Sequence, residues 1–241
     1  MLVIPAIDIR NGNCVRLLQG DPDRETVYSS DPVDMARRFE DLGAELIHVV
    51  DLDGAFSGET VNHEVIAKIA STVSIKIEVG GGIRTGDAVS RYVDAGISRI
   101  ILGTVLLESG FERIVEQYRE VLIAGVDARD SMVATHGWKE VSSVSALEII
   151  KELKEIGISE IIYTDISTDG MLKGPNLDAI DSILSNVSGI GLCASGGVSS
   201  IDDIIKLAEF ESRGLYGCIV GKAVYDGRVD LEDALLTIKS R

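Results

Sequence analysis

The sequence predicts an α/β protein of the (β/α)8 type, the TIM barrel. Its 241 residues match the usual length of one such barrel. Short apolar segments alternate with helix-like segments eight times, which favours a barrel over a doubly wound open sheet. Aromatic residues make up only 5%, so Ile, Val, Leu and Ala must build a core of the kind found around buried parallel strands. We expect one domain over residues 1–241, with half-barrels at about 1–120 and 121–241.

Eight apolar segments are the candidate strands of this barrel. Most of them lack the polar–apolar alternation of a half-exposed strand, as expected where helices cover one face and a packed interior the other. They are Leu2–Ile9, Glu45–Val50, Ser74–Val79, Arg99–Leu102, Leu122–Val126, Glu160–Tyr163, Gly189–Ala194 and Leu215–Val220.

Recognisable helix ends lie between these segments. Asp31-Pro32 reads as an N-cap followed by proline in the first turn. Ser145 with Glu148 fits a capping box, and Ser199 or Ser200 can cap a helix that runs to Phe210. Long turn-like stretches remain at about 11–30, 128–143 and 166–176, a length typical of lids or binding loops.

The two halves of the chain resemble each other. Four short motifs recur in the same order, at offsets of 114 to 119 residues, and this pattern predicts two related half-barrels. The matched positions are Asp8 with Asp127, Asp51 with Asp165, Gly81-Gly82 with Gly196-Gly197, and Gly103 with Gly221. Each special feature should therefore occur twice, on opposite sides of the barrel mouth.

The duplicated glycines predict two phosphate sites. Glycine lets backbone N–H groups approach an anion closely, and a following helix N-terminus adds partial positive charge. Barrels commonly bind phosphate between the loops after their last two strands, here at Gly197 and Gly221. The matching positions of the first half are Gly82 and Gly103. Ordinary turn chemistry is the alternative reading of any single pair.

Asp8 and Asp127 are the candidate catalytic pair. Each ends an apolar strand, which places its carboxylate at the mouth where barrel enzymes hold their catalytic residues. Different environments can separate the pKa values of two carboxyl groups and so create an acid and a base. Capping of the next turn is the alternative role. Thr164 can orient a carboxylate or bind a hydroxyl, while Asp165 and Asp169 are either functional or ordinary loop residues.

Charge and composition limit the partners. A net charge of −16 argues against nucleic acid and anionic membranes, but not against a small anion held by backbone groups. Three cysteines without metal spacing, and three dispersed histidines, predict neither a disulfide framework nor a metal site. We interpret the cysteines and His48 as core residues. The cysteine pattern indicates a reducing cytoplasm. No signal peptide or membrane span is visible in the N-terminal segment.

Seven motifs are spread over essentially the whole chain. They are residues 5–8, 14–21, 48–52 and 79–84, Gly137-Trp138, and residues 164–170 and 195–198. Together they resemble the histidine-biosynthesis isomerase family that converts ProFAR, the phosphoribosylformimino derivative of aminoimidazole carboxamide ribotide, to its ribulosyl form.

This resemblance implies a two-fold symmetric barrel, a substrate with a phosphate at each end, and an Amadori rearrangement without cofactor. Asp127 would be the general acid that opens the ribose ring, and Asp8 the base that removes the C2 proton. Thr164 would assist, and Trp138 would stack on the substrate. The implied binding residues are Arg16, Gln19, Gly81, Gly82, Arg84, Gly103, Thr104, Trp138, Asp169, Gly196, Gly197, Gly221 and Lys222. We expect a monomer.

Two related families differ at informative positions. The cyclase partner of imidazole glycerol phosphate synthase has Pro-Cys before its first Asp motif and a catalytic Lys, where this chain has Ala6 and Arg16. A bifunctional isomerase that also accepts phosphoribosylanthranilate has Ser-Gly-Gly after the third strand and Arg before the loop Gly-Trp. This chain has Gly80 and His136 at those positions. Dual specificity and a non-catalytic phosphate-binding barrel stay open as alternatives.

Overall fold

The computed structural model is a closed barrel of eight parallel strands with helices on its outer surface. The structure describes residues 1–108, 110–135, 138 and 140–241, with Thr104 and Thr135 described as backbone only. The barrel strands are β1 (Leu2–Arg10), β4 (Leu46–Asp51), β5 (Lys76–Gly80), β6 (Arg99–Leu102), β7 (Leu122–Arg129), β10 (Glu160–Asp165), β11 (Gly191–Ser195) and β12 (Leu215–Val220). They pair in that order, and β12 pairs with β1 to close the ring. The predicted (β/α)8 fold and all eight predicted strands are confirmed.

The long segments predicted as loops contain four further strands, which the sequence interpretation missed. These are β2 (Asn13–Leu18), β3 (Asp21–Ser29), β8 (Met132–Thr135) and β9 (Glu140–Ser145). They extend β1 and β7 as antiparallel hairpins above the barrel mouth. Two-residue turns at Asn11-Gly12 and Asp130-Ser131 have positive φ at both positions, as a type I′ turn requires.

The helices follow the barrel strands and keep the predicted ends. Asp31 accepts hydrogen bonds from Val33 N and Asp34 N, and Ser145 with Glu148 forms a complete capping box. Ser200, rather than Ser199, caps its helix, which ends at Ala208. The α-helices are α1 (Pro32–Asp41), α2 (Leu52–Ser57), α3 (His63–Thr72), α4 (Gly86–Asp94), α5 (Glu112–Tyr118), α6 (Ala146–Glu155), α7 (Leu177–Asn186), α8 (Ile201–Ala208), α9 (Lys222–Tyr225) and α10 (Leu231–Lys239), with 3₁₀ turns at Thr104–Leu107 and Glu211–Arg213.

Most of the core lies between the strands and the helices, and a second, smaller cluster fills the barrel. The interior cluster consists of Ile4, Ala6, Leu46, Ile123, Ile162, Cys193 and Ile219. All three cysteines are buried and unpaired, which confirms their interpretation as packing residues. Within the described residues, no helix is long and apolar enough to cross a membrane.

Candidate active site

A cavity of about 610 Å³ opens at the carboxyl ends of the barrel strands. Every barrel strand contributes to its wall or floor, as expected for a barrel enzyme site. Asp8 and Asp127, the predicted catalytic pair, both line it, and so does Thr164 beside them. Eleven of the thirteen predicted binding residues line it; Gln19 does not, and the Thr104 side chain lies outside the described part of the chain.

Asp127 lies partly buried in the cavity wall at the end of β7. Its Oδ2 accepts a hydrogen bond from Trp138 Nε1 at 2.8 Å, and the Thr164 side chain also bonds to it. Thr164 is paired with Asp127 in the register of β7 and β10, so the two side chains leave the barrel at one level. Burial raises the pKa of Asp127, and the bonds from Trp138 and Thr164 only partly oppose that shift. This is the environment of a carboxyl group that can hold and deliver a proton.

Asp8 has a different neighbour. Its Oδ2 forms an ion pair of 2.7 Å with Arg16 Nη1, while Arg16 Nη2 donates to the carbonyl of Ala6 at 2.6 Å. The guanidinium lies over the ring of Tyr225, and its Nε is buried without a protein partner. The duplicated aspartates therefore occupy different surroundings, because Asp8 faces a cation whereas Asp127 accepts hydrogen bonds from an indole N–H and a hydroxyl.

Asp169 contributes a third carboxyl group to the same cavity. Burial raises its pKa to about 6, with Arg16 opposing the shift and Asp8 and Asp127 adding to it. Gln19 belongs to the β2–β3 turn, and its amide donates to Ser167 O at 3.2 Å. The Gln19 bond fastens the hairpin to the loop that carries Asp169, so the structure shows Gln19 connecting two loops rather than facing the cavity.

Trp138 closes over the site from the β8–β9 hairpin. Its indole packs on Gly20 so tightly that a side-chain carbon on Gly20 would overlap the ring. Trp138 thus connects the two hairpins through Gly20 while it bonds to Asp127. The predicted Gly137 and His136 positions lie outside the described residues.

The glycine pairs are required by close backbone packing. Gly81, Gly82, Gly196 and Gly197 all have positive φ. A Cβ on Gly82 would overlap the carbonyl oxygen of Glu59, and one on Gly197 would overlap that of Gly174. Gly103 has open space around it, whereas a Cβ on Gly221 would lie 2.6 Å from the Arg16 guanidinium carbon. The turns at Gly82 and Gly197 therefore pack against backbone, and the turn at Gly221 packs against the Arg16 guanidinium.

The cavity mouth has two rims, one formed by the turns at Gly82 and Gly103 and the other by the turns at Gly197 and Gly221. The two rims carry different cations. Arg84 lines the cavity on the side of Gly82, and its guanidinium lies against Gly58. Lys222 lines the opposite side, where its Nζ is 2.5 Å from Asp226 Oδ2. Tyr28 of the β2–β3 hairpin donates to the other oxygen of Asp226 at 2.7 Å. Phosphate groups at opposite rims would each meet a cation.

Two buried aspartates stabilise loops and do not line the cavity. Asp51 is fully buried and accepts bonds from Gly54 N, Asn62 N and Asn62 Nδ2. Its counterpart Asp165 accepts from Ser167 and from Asn176 Nδ2. Each Asp bonds to an Asn eleven residues later, a repeated spacing that the sequence interpretation missed. Among the described residues, no group of three His, Cys, Asp or Glu side chains could hold a metal ion.

Comparison with known proteins agrees with this geometry. Residues 2–230 match the family model described as histidine biosynthesis protein. A Ruminiclostridium cellulolyticum protein is 49% identical over 241 residues, covering 99% of this chain and all of the relative. An Oceanobacillus iheyensis protein is 47% identical over 98% of this chain and 97% of its own length. Both are named 1-(5-phosphoribosyl)-5-((5-phosphoribosylamino)methylideneamino) imidazole-4-carboxamide isomerase. The chain therefore belongs to the histidine biosynthesis protein family.

Proposed function

We propose that the protein is the isomerase that converts the aldose ProFAR to its ketose isomer. The observation that carries this proposal is the pair of duplicated aspartates in one cavity, of which Asp127 has a pKa raised by partial burial and Asp8 faces Arg16. Two identical side chains in different surroundings supply an acid and a base at the same pH. The name shared by the relatives contains two phosphoribosyl groups, which matches the two rims.

Ring opening is the first step. Asp127 donates its proton to the ribose ring oxygen, and the C1–O bond breaks as the substrate nitrogen forms an iminium with C1. The raised pKa of Asp127 supports this role, because it keeps a larger fraction of the carboxyl protonated. Thr164 and Trp138 hold the carboxyl group in place and stabilise the carboxylate that forms.

Proton abstraction follows. Asp8 removes the C2 proton, and the C–H electron pair moves into C2–C1 to give the enolamine. Asp8 then returns the proton to C1, while the C2 hydroxyl releases its proton through solvent to Asp127; this gives the ketone and restores both carboxyl groups. Arg16 supports this assignment because it pairs with the carboxylate that accepts the proton. Phosphates bound by Arg84 at one rim, and by Arg16 and Lys222 at the other, would hold the reacting carbons between the two carboxyl groups.

The remaining proposals concern the setting of the reaction. The protein works in the cytoplasm as a monomer, on a small doubly phosphorylated substrate and without cofactor, metal, nucleic acid or membrane. The strongest alternative is dual specificity for phosphoribosylanthranilate. The other alternative, binding without turnover, is disfavoured by the distinct environments of Asp8 and Asp127, because a pure phosphate site needs neither carboxylate.

The direct test is to incubate the purified protein with ProFAR and, separately, with phosphoribosylanthranilate. We expect conversion of ProFAR and no conversion of phosphoribosylanthranilate. Turnover of both would favour the bifunctional alternative. Tight binding of ProFAR without conversion would refute the proposed isomerase activity and favour the binding protein.

A further inference from the structure

The floor of the cavity is apolar except at one position. Its deepest lining side chains include Ala6, Ile101, Ile162 and Ile219, which belong to or pack on the interior cluster. His48 lies among them on β4, paired in register with Ala6, and its side chain is 12% exposed. Val50, two residues further along β4, is paired with Asp8. His48 therefore lies one layer below the catalytic level, and its ring faces the cavity.

A buried carboxylate fixes one side of this ring. His48 Nδ1 is 2.8 Å from Glu78 Oε1, and Glu78 is fully buried. The other oxygen of Glu78 is 3.3 Å from Arg99 Nε, and Arg99 also bonds to Tyr216 and pairs with Glu160. Barrel interiors are normally filled by branched apolar side chains, and a buried charge is costly unless it is paired. The network therefore holds the imidazole at a defined position.

The same network leaves the second ring nitrogen available to a ligand. A carboxylate can only accept a hydrogen bond, so Nδ1 carries the proton in the neutral ring and Nε2 keeps its lone pair. Within the described residues no protein group hydrogen-bonds Nε2, and the ring lines the cavity. A substrate phosphorylated at both ends and held at opposite rims would lie across the floor of the cavity. Its reacting carbons, which belong to one of the two ribose units, lie between the two phosphates.

We propose that His48 contacts the substrate and that Glu78 is its positioning residue. Nε2 of His48 accepts a hydrogen bond from the hydroxyl on C2, which turns the C2–H bond toward Asp8. The inference rests on the proposed isomerase function and adds a residue to it. No proton transfer to His48 is required, because the bond only orients the hydroxyl.

The substitution His48→Asn separates this contact from a structural role. The Asn amide can still donate to Glu78 in place of Nδ1, but it has no atom at the position of Nε2. We expect kcat to fall roughly 10- to 100-fold, as for loss of one well-placed hydrogen bond at a reacting centre. KM should stay within about threefold, because the phosphates supply most of the binding. His63→Asn is the matched control: His63 lies on α3, packs on Tyr92 and does not line the cavity.

Two further measurements keep the inference testable if His48→Asn folds poorly. Nitrogen NMR of the labelled imidazole should show a protonated Nδ1, and the Nε2 resonance should move when the ketose product saturates the site. Glu78→Gln should lower kcat with little change in KM and should alter the protonation of the two ring nitrogens. A wild-type kcat in a folded His48→Asn or Glu78→Gln variant, or an Nε2 resonance indifferent to product, would overturn the inference. Failure of the wild-type protein to convert ProFAR would instead refute the proposed function.

Discussion

Replacement of Asp127 by Asn should separate activity from stability. The amide keeps the shape and one acceptor oxygen for Trp138 Nε1, and the Thr164 hydroxyl can turn to accept from the new N–H group. It cannot donate a proton to the ribose ring oxygen at neutral pH. A positioned acid contributes about 10²–10⁴-fold, so kcat should fall by that factor while binding of the doubly phosphorylated ligand persists.

The effect on stability has a defined sign. Because burial raises the pKa of Asp127 in the folded state, its carboxyl group favours folding at low pH. That contribution is lost as pH rises from about 4, the unfolded value, through the folded pKa. The Asn variant has no carboxylate to hold ionised in the folded state. At neutral pH its free energy of unfolding should therefore lie within about 1 kcal/mol of the wild-type value or above it. The difference should move in favour of the variant as pH rises.

Denaturant unfolding at several pH values, combined with steady-state kinetics, measures both effects. Asp165→Asn is the contrasting substitution at the next strand end. It would weaken the bonds with Ser167 and Asn176 and cost about 1–3 kcal/mol, with a much smaller loss of kcat. A near-wild-type kcat in Asp127→Asn with the ligand bound would refute the acid role. If Asp127→Asn became less stable relative to wild type as pH rises, the account of the Asp127 environment would be refuted.

Three further predictions concern the glycine turns at the rims and Trp138. Gly82→Ala should destabilise the protein strongly, because its Cβ would overlap a backbone carbonyl. Gly103→Ala should fold normally and lower only the affinity for the ligand. Thermal unfolding and ligand titration distinguish the two effects. Trp138→Phe removes a hydrogen bond that lowers the pKa of Asp127, so the alkaline limb of the pH–rate profile should move to higher pH. Emission from this single tryptophan should change when ligand binds, and an unchanged spectrum under saturation would contradict a stacking role.

Much of the fold was predictable because the barrel strands are buried on both faces. A continuous apolar segment such as Leu122–Val126 identifies such a strand without further information. The β2–β3 hairpin was missed because β3 is exposed along most of its length and shows no apolar periodicity. The Asn11-Gly12 pair was nevertheless a hairpin signal, since both positions need positive φ in the observed turn.

The site was predictable in position but not in environment. The strand-end pattern and the repeat indicated Asp8 and Asp127, and the structure brings them into one cavity. Their separate partners, Arg16 on the β2–β3 hairpin and Trp138 on the β8–β9 hairpin, depend on tertiary packing that the sequence pattern does not encode. The glycine turns illustrate a similar limit, because backbone packing and anion binding require the same residues.

The central claim is that Asp8 removes the C2 proton of the substrate, and isotope exchange tests it most directly. When ProFAR is incubated with wild-type protein in deuterated water, NMR should detect solvent deuterium in the ketose and at C2 of the remaining substrate. Asp8→Asn should bind the same ligand and show neither conversion nor exchange at C2. Exchange at the wild-type rate in Asp8→Asn would contradict the claim and assign the base to another group of the cavity, such as Asp169.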